Sequence, residues 1–462
     1  MEKDHVLDAT NGPVLKPLIA FSVPIMLANI LQLLFNAADI IVVGQFVGET
    51  AVAAVGSAVI ISMLISLFMG LSIGATVVMS TKLGSGATNI SRTIQTTYTL
   101  GIFLGVLTAV VGFILAPSFL GLLNTPNDII GQADLYLRIV FLGQPGFMVY
   151  TFVRAILVAK GDTRSPLIYL FIAGAVNVVL NIILVSVVRL GVAGVAIATI
   201  TSHYISAVIT VRKLVHTEGM FHLNIKGFCL DRTELKGIIR LGVPTGLQST
   251  LISVSGLLTQ SSINSLGTAV VAGQSASNNI MSFLAQALNA FSQGCMTFSG
   301  QNYGAGRTDR VRKVYRSTLL IDAVLGSLLG CLIIVFGEDL LHIYTPDSAA
   351  SVTAGMVGLT TIMSFSILMG FQDASGFALR GMNYSVFPML TAVFGNCIFR
   401  VFWIAVLFNR LAPDMETLSA YRFLVSAYPV SWAIIFAANS VAYFVIMRKE
   451  KQDAAQNLWK GE

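Results

Sequence analysis

Charge is what this chain has least of. Asp, Glu, Lys and Arg make up 11% of its 462 residues, against about 25% in an ordinary soluble domain. A solvated globular surface is thereby excluded over most of its length. Cysteine is scarce and scattered: Cys229, Cys295, Cys331 and Cys397 have no paired spacing, so no disulfide framework and no cysteine metal site is expected. The five histidines are equally dispersed. No Walker pattern accompanies the glycines, so ATP is not the expected energy source. No cluster of paired acids with histidine suggests an enzyme. Met1–Asn11 is polar and lacks the basic-then-apolar order of a cleaved leader.

Apolar sequence takes the place of all these. Hydrophobic residues make up 55% of the chain and the mean hydropathy is +0.80. Twelve apolar stretches lie near 15–45, 51–81, 93–118, 128–158, 165–188 and 191–212, then 237–266, 269–301, 314–337, 348–379, 385–409 and 419–447. Each meets the roughly 20 residues needed to cross a hydrocarbon core. In lipid these must be helices, because an open strand edge leaves its amides unpaired. The fold class expected is all-α integral membrane, with twelve transmembrane helices.

The few charges then orient the chain. Loops after even-numbered spans carry Lys82, Arg92, Lys160, Arg164, Arg212, Lys213, Lys226, Arg232, Lys236 and Arg240, then Arg307, Arg310, Arg312, Lys313, Arg316 and Arg380. Lys3, Lys16, Arg448, Lys449 and Lys451 at the termini share that side. The opposite loops are acidic, with Glu49, Asp128, Glu338, Asp339, Asp347, Asp414 and Glu416, and hold few bases (Arg189, Arg410, Arg422). By the positive-inside rule both termini are cytoplasmic. The net charge of +6 therefore reflects topology and implies no nucleic-acid partner.

One blueprint is written twice. Lys16, Pro24, Gly74, Gly84, Gly86, Thr125, Pro126 and Gly161 recur as Lys236, Pro244, Gly294, Gly304, Gly306, Thr345, Pro346 and Gly381, a constant interval (244 − 24 = 220, 346 − 126 = 220). Six spans per half is an even number, so both halves insert the same way up, related by an axis along the membrane normal. Paired repeats of this kind underlie many secondary transporters that expose a site to one side at a time. The expected organisation is a six-helix bundle over 1–214, a cytoplasmic linker over 215–236, a second bundle over 237–450 and a tail over 451–462.

Polar residues inside the spans carry the chemistry. Asn29, Gln32, Asn36 and Asp39 fall at steps of three, four and three, which puts them on one helical face. A mid-membrane ionisable group costs about 2.5–3.5 kcal/mol on the lenient insertion scale and usually faces an internal cavity. Asp39 is thus a group able to hold a proton or sodium ion in one conformation and release it in another; an interhelical hydrogen bond is the alternative. Asn177 and Asn181, one turn apart in the fifth span, are placed to face it. In the second half Asn278, Ser282, Gln286, Asn289 and Gln293 form a stripe along the eighth span. Gln260 and Asn264 add to the seventh. Asp373 lies deep in the tenth span, as a cavity-facing acid or as the partner of a base such as Arg400. Asp322 lies partway into the ninth. Arg154 and Arg400 read as counter-ions or gate elements. Pro24 and Pro244 interrupt the first helix of each half and invite a bend.

These features resemble the multidrug and toxic compound extrusion (MATE) transporters. The resemblance is carried by two parallel halves, by Pro24 with Asn36-x-x-Asp39, and by Ala-Val-Ala-Ala-Val-Gly at 51–56. It extends to Arg-x-x-Leu-x-Ala-x-Gly-Asp-Thr at 154–163, to Asn177-x-x-x-Asn181, and to Gly-Val-Ala-Gly-Val-Ala-Ile-Ala-Thr at 191–199. It implies an antiporter in the plasma membrane (the inner membrane in a Gram-negative cell). Such a protein expels small amphipathic organic cations while H+ or Na+ runs inward, with no cofactor and as a monomer. On that resemblance Asp39, Asn36, Asn177, Asn181 and Asp373 are cation-coupling candidates. Asn29, Gln32, Gln260, Asn278, Gln286, Asn289 and Gln293 are substrate-cavity candidates. Asn181 stands where many relatives place an aspartate. The seventh span has Thr259 and Gln260 but not the glutamate that one sodium-using branch carries. The alternative is a flippase or exporter of lipid-linked or anionic metabolites in the same superfamily, which calls for several buried bases; Arg154 and Arg400 are the candidates.

Overall fold

The computed structural model describes residues 8–48, 51, 59–122, 125–346 and 348–460, the side chains of 59–64, 122 and 453–460 excepted. The run at 51–56 beyond Ala51, and the charges Lys3, Glu49 and Asp347, lie outside the described residues. Every regular element among the described residues is a helix. The first half comprises α1 (Leu15–Phe46), α2 (Val59–Gly84), α3 (Ser91–Leu122), α4 (Ile130–Leu142), α5 (Gln144–Lys160), α6 (Arg164–Asn181) and α7 (Val192–Val215). The second half runs α8 (Arg232–Asn264), α9 (Thr268–Gly304), α10 (Thr308–Val335), α11 (Gly337–Tyr344), α12 (Ala349–Met363), α13 (Ser366–Gly381), α14 (Val386–Val393), α15 (Thr417–Val425) and α16 (Ala427–Lys460).

Nine helical stretches among the described residues are long and apolar enough to cross a membrane. Two further spans are broken: α4 meets α5 at 44° and α12 meets α13 at 50°. The sequence reading had each as one continuous span. Pro145 supplies the first break, since it removes an amide donor at the start of α5. The second break, at Ser364 and Phe365, is its repeat partner and needs no proline: Ser366 Oγ there donates to the Gly326 carbonyl at 2.8 Å. The remaining span, α9, is 37 residues long, yet its amide stripe keeps it less apolar than the others. These make the twelve.

The repeat is legible in backbone detail. α2 and α9 end at the paired glycines Gly84 and Gly304. Two residues later Gly86 (φ +74°) and Gly306 (φ +70°) adopt the left-handed conformation that a side chain resists. The closing bonds match as well: the Ala87 amide donates to the Lys82 carbonyl at 3.1 Å, and the Arg307 amide to the Asn302 carbonyl at 2.8 Å.

The chain forms two compact units. One gathers Leu27–Gly246, the other Ala9–Met26 and Leu247 onward. Each unit therefore contains the opening turns of the other half's first helix, and each of those helices changes unit two residues past its proline (Pro24, Pro244).

In the first unit the opening turns of α8 lie against α2 through glycine: Gly242 and Gly246 meet Gly70, Gly74 and Leu71, and a Cβ added at Gly246 would overlap the Leu67 carbonyl. Apolar area alone does not hold helices together in lipid, so small-residue faces that let backbones approach closely supply the attraction. At the basic end, the Lys82 ammonium and the Thr93 hydroxyl both donate to Glu234, the latter at 2.9 Å. In the second unit Arg310 clasps the opening segment by donating to the carbonyls of Ala9, Asn11 and Gly12 at 3.0, 3.1 and 2.9 Å. Phe21 and Phe298 pack edge to face there, with ring centroids 5.5 Å apart.

Candidate functional site

Asp39 lies in the last third of α1, and its partners come from α6. The Asn181 amide nitrogen donates to Asp39 Oδ1 at 2.5 Å. Asn177, its amide turned nitrogen-first toward the carboxylate, donates to the same oxygen at 2.8 Å, while its Oδ1 accepts from the Thr199 backbone N–H of α7 at 3.3 Å. The periodicity explains the convergence: residues four apart share one helical face, so both amides of α6 reach a single carboxylate. Asn181 closes α6, and a π-helical turn, Ile182–Val187, follows at once. Wide turns of this kind are rare and recur at functional sites. Tyr136 of α4, buried, is within electrostatic reach of Asp39.

Two acceptors in this cluster stay open. Asp39 Oδ2 receives no hydrogen bond from a described residue, and the buried Asn181 Oδ1 has none either. A carboxylate oxygen and an amide oxygen left without donors are acceptors of the kind that a proton or a monovalent cation needs. Asn36 belongs elsewhere: it is exposed on α1 and is not among the partners of Asp39. Gln32 is likewise exposed, and Asn29 is half-buried with its amide nitrogen unpartnered.

The second unit assembles its own polar line. Asp373 of α13 accepts a hydrogen bond from Asn289 of α9, and the Gln293 amide nitrogen donates to Asn289 Oδ1 at 2.8 Å. The basic neighbour of Asp373 is Arg380, whose charge acts on it. Arg400 goes elsewhere: its guanidinium donates to Ser431 Oγ at 3.1 and 3.0 Å and stacks 4.1 Å from the Tyr428 ring. The charge pattern puts Arg380 among the loop bases, but it lies within the last turn of α13, 4% exposed, and donates to Gln248 Oε1 at 2.6 Å. The helix simply runs further toward the basic end than hydropathy suggests.

The other candidates stay separate from that line. Gln260 donates to Asn264 at 3.0 Å within α8. Asn278 is exposed and accepts from Gln274 at 2.9 Å; Gln286 is half-buried. Gln274 was missed in sequence, although it lies one turn before Asn278 on the same stripe. It is 1% exposed and accepts from the Tyr421 hydroxyl. Asn439 was missed too: it accepts from Thr391 Oγ1 at 2.7 Å and donates to Ser375 Oγ at 3.2 Å. No group of three or more potential metal ligands occurs among the described residues.

With this geometry in place, known proteins supply the frame. The family model described as MatE matches the chain twice, over residues 24–183 and 244–406, so the two matches begin on the two prolines 220 residues apart (244 − 24 = 220). A probable multidrug resistance protein of Bacillus subtilis, YpnP, is 31% identical over 406 residues, covering 86% of this chain and 88% of its own. The probable multidrug resistance protein NorM of Thermotoga maritima is 27% identical over 385 residues, covering 81% and 82%. Among solved structures, a MATE in the straight conformation superposes with a TM-score of 0.86 at 20% identity, over 96% of this chain and 98% of that one.

Proposed function

Since the chain belongs to the MatE family of membrane transporters, we propose that it is a secondary antiporter that exports amphipathic organic cations by alternating access. Inward flow of H+ or Na+ through the Asp39 cluster supplies the drive. One observation carries this reading: a half-buried carboxylate, fixed through Oδ1 by Asn181 and Asn177, keeps Oδ2 and the Asn181 carbonyl oxygen free for a cation. The relatives' names support drugs as the substrate class, since YpnP and NorM are both called probable multidrug resistance proteins.

In this reading Asp39, Asn177 and Asn181 couple the ion, and Asp373 with Asn289 and Gln293 forms a second polar line. Asn29, Gln32, Gln260, Asn278 and Gln286 contact substrate. Asn36, exposed one turn from Asp39, serves entry of the ion. The change of unit just past Pro24 and Pro244 supports a bend there as the moving element. The protein works as a monomer with both termini cytoplasmic.

The test is efflux of a fluorescent lipophilic cation from proteoliposomes under an imposed proton or sodium gradient. Unaltered protein exports the dye, Asp39→Asn loses the gradient-driven part, and the effective gradient names the ion. Equal export by both proteins would make Asp39 structural. No export of any cationic dye by the unaltered protein would sink the multidrug reading.

A further inference from the structure

Asp322 is a buried acid that the proposed coupling mechanism does not use. It lies on α10 and is 0% exposed; neither carboxyl oxygen has a hydrogen-bond partner. Its side chain presses on α13 at Gly370, where an added Cβ would fall 2.8, 2.9 and 3.3 Å from Asp322 Cβ, Cγ and Oδ2. Gly370 is three residues before Asp373 on one face of α13, and the charge of Asp373 acts on Asp322. The other ionisable groups within reach are the Cys295 thiol of α9 and the Tyr315 phenol of α10. Tyr443 of α16, 0% exposed with its own hydroxyl unpartnered, packs 4.5 Å from the Tyr315 ring.

No arginine acts on Asp322 itself: Arg380 acts on Asp373, Arg312 and Arg316 act on Tyr443, and Arg400 belongs to Ser431 and Tyr428. An isolated buried carboxylate costs many kcal/mol, so such a group neutralises itself. A sodium ion calls for several oxygen ligands. Around Asp322 the other side-chain oxygens are few: the Asp373 carboxylate, the Tyr315 phenol, which pairs with Ser440 Oγ at 3.3 Å, and Thr318, whose hydroxyl donates to the Val314 carbonyl at 3.0 Å, beside a glycine backbone and a thiol. A proton satisfies the carboxylate with no ligand shell.

We propose that Asp322 is a second proton-binding position, in a different unit from Asp39 and loaded through Asp373. Asp373 is half-buried and so reachable, whereas Asp322 is sealed. A proton arriving on Asp373 neutralises it and passes to Asp322, which becomes a neutral acid as Asp373 regains its charge. Each proton taken up changes the charge of the pair by one. Its use in coupling rests on the antiporter reading; its existence does not.

Infrared spectroscopy of the purified full-length protein in lipid tests existence directly. A neutral-carboxyl stretch present at neutral pH is expected to vanish in Asp322→Asn and to persist in Asp39→Asn. An unchanged spectrum in Asp322→Asn overturns the proposal. Should that variant fail to fold, Gly370→Ala keeps the carboxyl but crowds it, and the same band must shift; a band that ignores the crowding overturns it equally. Proteoliposomes then test use. Losing one of two coupled protons lowers the dependence of dye accumulation on the proton gradient by about tenfold per pH unit. A lost band with unaltered gradient dependence means the proton is static, which overturns the coupling role. Absence of dye export by the unaltered protein would instead sink the antiporter reading and leave the infrared result standing.

Discussion

The Asn181 amide nitrogen lies 2.5 Å from Asp39 Oδ1, joining residues 142 positions apart in the chain. A hydrogen bond to a charged group contributes about 1.5–3 kcal/mol, and a buried partner left unpaired is penalised. Asn181→Leu is therefore expected to lower the thermal stability of the detergent-solubilised protein and to cut gradient-driven dye efflux at least tenfold. A variant that keeps both stability and efflux would remove Asn181 from the cluster.

Gly246 is the last residue of the first unit, against Leu67 and Gly70. A side chain there collides with backbone, which cannot swing aside as a flexible side chain would. Overpacking of this kind costs about 1–3 kcal/mol. Gly246→Val should lower the melting temperature by several degrees. Gly256→Ala, on the same helix with open space around its Cβ, should change it little. Equal melting shifts for the two would argue against close packing of α8 on α2.

The limits of sequence reading follow the same physics. The apolar runs located all twelve spans, α9 near 269–301 among them. The spacing of Asn177 and Asn181 announced a shared face, and that face does meet Asp39. Hydropathy could not show the breaks at Gly143 and Ser364, since broken and straight helices have the same composition. Nor could it show that Arg380 turns inward or that Arg400 chooses Tyr428 over an acid. Those choices depend on which helices become neighbours. Asn36 fits the periodicity of Asp39 but not its contacts: it is exposed on α1, whereas Asp39 is bonded from α6.

Asp231 lies in the segment that leads into α8, outside the spans. Its Oδ1 accepts from the Thr233 and Glu234 amides at 2.9 and 3.1 Å, filling the open donors of a helix start. The Glu234 amide most of all, then the Thr233 amide, Arg92 and Lys82, hold its carboxyl below the usual 3.8. A depressed acid binds fewer protons folded than unfolded, so its stabilising share is complete above that value and is lost as pH falls below it. Melting temperatures of the unaltered protein and Asp231→Ala should differ at pH 7 and converge as the pH drops below about 4. A difference that stays constant would show that Asp231 stabilises by something other than its charge.

Arg400 gives the sharpest separation of structure from coupling. Its guanidinium bonds Ser431 Oγ twice and stacks on Tyr428, a geometry that needs a planar fork. Lysine keeps the charge but loses the fork and the stacking, worth about 0.5–2 kcal/mol for a desolvated cation–π pair. Arg400→Lys should therefore melt earlier while its dye efflux keeps the same dependence on the proton or sodium gradient. If the variant melts normally but needs a steeper gradient, Arg400 acts as a gate, and its position beside Tyr428 is a resting place in the cycle. A guanidinium whose partners are a hydroxyl and a ring has no acid to release when an ion arrives, so the first outcome is the one the geometry supports.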